Sequence, residues 1–144
     1  MDTEDRIRVL AQHLGCDDDD IDECTYRDNA FEAEGGEFLV LTADEADTLT
    51  REQIEQSLWA FDTSFIMSHA DPNLRPLEDV IRGYQEKQYE DANDAIRALI
   101  VDLDHFVEDA KSADGRGHFL AGYDGEEHEL TIGGSIMIYI YQTN

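Results

Sequence analysis

The sequence predicts an α+β fold in a single domain, residues 1–144, with several helices packed on a C-terminal three-stranded antiparallel meander and a β-hairpin nearer the N-terminus. Three observations predict it. Apolar residues recur at helical spacing through most of the chain before Ala110, the period then changes to two, and Gly-Gly or Asp-Gly pairs stand where tight turns belong. Hydrophobic residues make up 41% of the 144, which at this length is enough for one core.

Each element follows from local pattern. Over Thr3 to Leu14, Ile7, Leu10, Ala11 and Leu14 share one helical face, and Gly15 is a natural residue just past the helix end. The Asp run in CDDDDIDEC cannot pack and reads as a solvated loop or helix start. NAFEAEGGEFLVLT alternates about Gly35-Gly36, with Phe31 and Ala33 before the turn and Phe38 and Val40 after it, the pattern of a hairpin. Thr42 and Glu45 form a capping box for a helix through Ala46, Leu49, Ile54 and Leu58 to the WAF cluster. HADPNLRP, with Pro72 and Pro76, breaks that helix, and a short one led by Pro76 carries Leu77, Val80, Ile81 and Tyr84.

The longest periodic segment steps through Ala92, Ile96, Leu99, Leu103, Phe106 and Ala110, widened by Ile100 and Val107, and predicts one long core helix. Beyond it, two-residue turns at Asp124-Gly125 and Gly133-Gly134 would set Ala121, His128 and Tyr139 opposite one another, and Phe119, Leu130 and Met137 likewise. One sheet face would then hold Phe119, Tyr123, Leu130, Met137, Tyr139 and Tyr141, and the other Leu120, Ile136, Ile138 and Ile140.

Charge dominates the composition. There are 35 Asp and Glu against 10 Lys and Arg, a formal net charge of −25. A surface this negative repels nucleic acid and anionic membranes and attracts cationic protein surfaces. Lysine occurs only as Lys87 and Lys111, a usage that high-salt adaptation or a GC-rich genome would also produce. The charged N-terminus MDTEDRIRVL is unlike a secretory signal, so the expected location is the cytoplasm. Cys16 and Cys24 match no zinc or redox spacing and read as two ordinary thiols.

Motifs for nucleophilic, phosphate-binding, zinc-protease and calcium-loop chemistry are absent, so the chain reads as a non-enzyme without metal or other cofactor. The segment Asp114-Gly115-Arg116-Gly117-His118, with Asp124 and His128, offers imidazole and carboxylate ligands. The same residues read structurally as a helix stop, with Arg116 pairing nearby carboxylates.

Imitation of a phosphate backbone is a sharper reading of the acidity. A folded chain of this mass exposes about 7,500 Å², or ~300 Å² per excess charge. Duplex DNA has ~100 Å² per phosphate. Mimicry therefore needs its charge segregated on one face, and two sets offer this: Asp102, Asp104, Glu108 and Asp109 on the long helix, and Glu126, Glu127 and Glu129 near the sheet. Asp17 to Glu23 and Asp94 could join them. The expected partner is a cationic protein surface. The alternative is an assembly module that uses the aromatic face of Tyr123, Tyr139 and Tyr141 and predicts a homodimer or a salt-insensitive complex.

The block DGRGHFLAGYDGEEHE, the YIYQTN ending and QSLWAFDTSFI upstream resemble a group of small acidic proteins encoded by bacteriophages and integrated elements. The resemblance implies a phage or mobile-element context, in which such proteins act as anti-restriction or anti-CRISPR inhibitors, some of them DNA mimics. It carries over no catalytic residue.

Overall fold

Helix α1, Thr3–Leu14, begins where the Asp2 carboxylate accepts the Asp5 N–H at 2.8 Å and stops at Gly15, whose φ of 73° is left-handed. This is the first element of a computed structural model that describes residues Met1–Asn144. The chain forms two compact units, Met1–Thr50 with Asp114–Asn144, and Arg51–Ala113. No helix is long and apolar enough to cross a membrane.

The first unit is built on a five-stranded antiparallel sheet. Strands β1 (Asp22–Glu23), β2 (Ala30–Ala33), β3 (Gly36–Leu41), β4 (His128–Ile132) and β5 (Ile136–Gln142) lie in the order β1-β2-β3-β5-β4. The early hairpin and the C-terminal strands thus share one sheet. Its turn falls at Glu34-Gly35, with φ of 50° and 80°, one residue earlier than the sequence suggests, and pairs Phe31 with Phe38.

Both sheet faces are covered. Phe31, Ala33, Phe38, Val40, Ile138 and Ile140 pack with Val9, Leu10 and Ala11 of α1 and with Ile21. On the other face Ala30, Leu39, Leu41 and Tyr141 pack with Ala46 of α2 (Ala43–Gln56) and with Leu120 and Ala121 at the end of α6 (Leu103–Leu120). Each large apolar side chain so buried contributes about 1.5–3 kcal/mol.

The expected capping box is present: Thr42 N–H donates to Glu45 Oε1 at 2.8 Å and Glu45 N–H to Thr42 Oγ1 at 3.3 Å. Glu45 also takes a bidentate pair from the buried Arg6 at 2.8 and 3.0 Å. Burial opposes the Glu45 charge, but these bonds more than offset it and lower its pKa to about 2.

Two expectations for the C-terminal region are corrected. The first strand of the meander is not a strand: after a break at Gly115 (φ 80°, ψ 157°) helix α6 resumes through Leu120, and Asp124-Gly125 folds back on it. Gly117 makes this approach possible, because a Cβ there would lie 2.4 Å from the Gly125 carbonyl oxygen. The loop from β4 to β5 also contains three residues, 133 to 135, since Ile132 faces Ile136. That extra residue moves the pairing by one position, so Leu130 and His128 share a face with Ile138 and Ile140 rather than with Tyr139.

The second unit holds α3 (Thr63–Ser68), α4 (Glu78–Gln88), α5 (Asn93–Leu99) and the first turns of α6. The long helix expected over 92–110 is two helices. Asp102 caps a new start by accepting the His105 N–H at 3.2 Å, and Ile100 leaves helical conformation to form a bridge with Ala70. Phe106 packs edge-on against Phe61 and Phe65 at 5.1 and 5.0 Å. Buried Gln85 ties α4 in, accepting from Thr63 Oγ1 and donating to the Trp59 and Phe61 carbonyls.

Candidate partner-binding surface

The helix set of carboxylates is largely engaged within the chain. Asp104 lies 2.7 Å from the Arg51 guanidinium, Glu108 3.2 Å from Lys111 Nζ, and Asp109 3.0 Å from His69 Nε2. Asp102 serves as the α6 cap. Every member of this set has a local structural role, so it offers less free charge than its sequence density implies.

The sheet set divides. Glu126 and Glu129 are exposed, whereas Glu127 takes the Arg116 Nε–H at 2.8 Å and the Tyr141 hydroxyl. Arg116 also meets Asp47 at 3.1 Å and sits 4.4 Å over the Tyr139 ring. Burial disfavours the guanidinium charge, yet the Glu127 bond and the surrounding charges hold its pKa above the ordinary value. Burial, then the bond to Glu127, pushes the Tyr141 hydroxyl up. The expected pairing of Arg116 with carboxylates is therefore present as a structural knot.

Two alternative sites do not assemble. Asp114, His118 and Asp124 are exposed and bring no three ligand atoms together. The aromatic face is not free either: Tyr141 is fully buried and Tyr139 carries Arg116, leaving only Tyr123 open. Cys16 and Cys24 are free thiols, each with its pKa raised first by burial.

Carboxylates without a close cation, Asp22 and Glu32, stand elsewhere in the first unit, at the open end of β1–β3, beside Glu37, which Arg27 and Tyr26 hold. The register sets Asp22 opposite Glu32, and Glu32 opposite Glu37, on adjacent antiparallel strands. Directly opposed residues project to one face, so these three carboxylates form a row across the sheet. Asp20, Asp22, Glu32, Glu34 and Glu37 line a concavity of about 440 Å³, with Tyr26, Gly35, Gly36 and Asn144 completing its wall. The nearest ion pair is loose, with Arg27 Nη1 3.8 Å from Glu37. Tyr26 donates its hydroxyl to Glu37, and this bond chiefly raises the phenol's pKa.

A signal for part of this row stands in the sequence. In FEAEGGEF, Glu32 and Glu37 alternate with core residues and fall opposite each other once the turn is placed at Glu34-Gly35. Asp22 has no such signal, because β1 is two residues long and acidic. No protein-family model, curated protein or solved structure matches the chain.

Proposed function

We propose that the chain is a non-enzymatic acidic binding protein that occupies the nucleic-acid-binding surface of a cationic partner as a DNA mimic. The resemblance to phage proteins supplies its setting, inhibition of a host defence protein. The observation that carries the reading is the opposition of Asp22 and Glu32, without a close cation, in the row that ends at Glu37. Like charges directly opposed across strands are destabilising, and here no close cation relieves Asp22 or Glu32. An arginine-rich surface would supply that relief through charge-assisted bonds.

The spacing suits the role. Carboxylates on successive strands repeat every ~4.8 Å, against one phosphate per ~3.4 Å of axis on each DNA strand. The row therefore supplies locally the charge density that the average surface lacks. The test is capture by the tagged protein from nuclease-treated host lysate at low salt, followed by elution with duplex DNA. A captured DNA-handling protein that the duplex displaces, and that the Asp22→Asn/Glu32→Gln/Glu34→Gln variant fails to capture, is the expected result. Capture that neither duplex nor the variant affects would sink the reading.

A second reading has one observation in its favour. Leu77, Val80 and Tyr84 are 44%, 68% and 41% exposed, and stand along one side of α4 and the turn before it. An assembly module using this stripe would bind through apolar contact, so its affinity would be nearly independent of salt.

A further inference from the structure

We infer that the second unit contains a transition-metal site, with zinc the best-fitting ion, formed by His69, His105 and Asp109. It is separate from the acidic row and does not depend on how that row is used. The three side chains form the only group of three or more potential ligands in the chain whose donor atoms all lie within 4.8 Å of one another.

The sequence brings them together by two routes. His105 and Asp109 are four residues apart on α6 and so share one face. His69 closes α3 as its C-terminal cap, where its carbonyl accepts the Val101 N–H at 3.0 Å just ahead of α6. Its ring lies 5.2 Å from Phe65 and 5.1 Å from Phe106, and the side chain is only 6% exposed. Packing thus fixes this imidazole with Nε2 directed at the carboxylate.

The distances suit a tetrahedral ion. Asp109 Oδ2 lies 3.0 Å from His69 Nε2 and 3.5 Å from His105 Nε2. Ligands about 2.05 Å from zinc at tetrahedral angles are ~3.3 Å apart, a value that the two Asp109 separations bracket. Two imidazoles and one carboxylate are a borderline-soft set that favours zinc over calcium or magnesium, both of which prefer all-oxygen shells. His105 and Asp109 are 64% and 47% exposed, which leaves the fourth position open to water. The ion would tie the end of α3 to the first turns of α6.

The experiment uses the whole chain, stripped with chelator and titrated calorimetrically with Zn²⁺, then with Co²⁺ under visible absorption. The expected result is one Zn²⁺ per chain, preferred over Ca²⁺ by more than about tenfold, with the intense visible bands of four-coordinate Co²⁺. His105→Ala removes an exposed ligand and Asp109→Asn a half-exposed one. Each should weaken Zn²⁺ by more than about tenfold while the far-ultraviolet circular dichroism is retained. A Glu126→Gln/Glu129→Gln control, which lowers surface charge alone, should bind as the wild type does. Equal Zn²⁺ affinity in His105→Ala, or Ca²⁺ binding as tightly as Zn²⁺, would overturn the site and assign the binding to diffuse surface acid.

Discussion

The carboxylates of α6 and those at the open end of β1–β3 are equally acidic as sequence but differ in what surrounds them. Asp104, Glu108 and Asp109 each meet a cation or imidazole within 3.2 Å, whereas Asp22 and Glu32 meet another carboxylate across the strand. The difference teaches that formal charge overstates the charge a partner can use. Removing an internally paired acid should cost stability, and removing an unpaired one should add to it. The sign of a stability change therefore separates the two classes.

The largest effect is expected at Glu45, the most thoroughly paired acid, which holds the buried Arg6 and caps α2. Glu45→Gln should cost about 2–3 kcal/mol in urea unfolding, below the value for a fully buried pair because the carboxylate is a third exposed. Its pKa of about 2 lies beneath the ordinary 4.5. The stabilisation is therefore complete above pH 4.5 and lost as the pH falls toward 2, so the variant should show a shallower acid transition.

Glu127→Gln comes next, at about 1–2 kcal/mol, because it weakens the bonds from Arg116 and Tyr141 while keeping the side chain's shape. Glu32→Gln should have the opposite sign, stabilising by about 0.5 kcal/mol at low salt, with the gain shrinking as salt screens the row. Smallest is Asp104→Asn, where the pair with Arg51 is exposed and the loss should stay below about 0.5 kcal/mol. A destabilising Glu32→Gln would break the distinction between the two regions.

Local chemistry made much of the fold legible. Gly15 and the Thr42–Glu45 box fixed helix ends, and the alternation around Phe31 and Phe38 fixed a hairpin. What failed depended on distant contacts. Helical and two-residue periods overlap in HFLAGY, and only the close seat of Gly117 against Gly125 decides for helix. The break before Asp102 is concealed because Ile100 continues the apolar spacing while bridging Ala70.

Site residues divide on the same line. The i, i+4 spacing of His105 and Asp109 is visible in the chain, but His69 joins them only through the fold. Glu32 and Glu37 follow from a correctly placed turn, whereas Asp22 requires β1 to pair. The α6 acids are conspicuous as sequence because two of their partners, Arg51 and His69, lie far along the chain.

The most direct measurement compares two variants that each remove three charges, Asp22→Asn/Glu32→Gln/Glu34→Gln and Asp102→Asn/Asp104→Asn/Glu108→Gln. Each is titrated by calorimetry with an arginine-rich peptide at low salt. If the acidic concavity lined by Asp22, Glu32 and Glu34 is the working surface, the first variant binds at least about tenfold more weakly, a loss of ~1.4 kcal/mol, and the second changes less than about twofold. Equal losses in the two variants would mean that only total charge matters, and would contradict the assignment of function to the row.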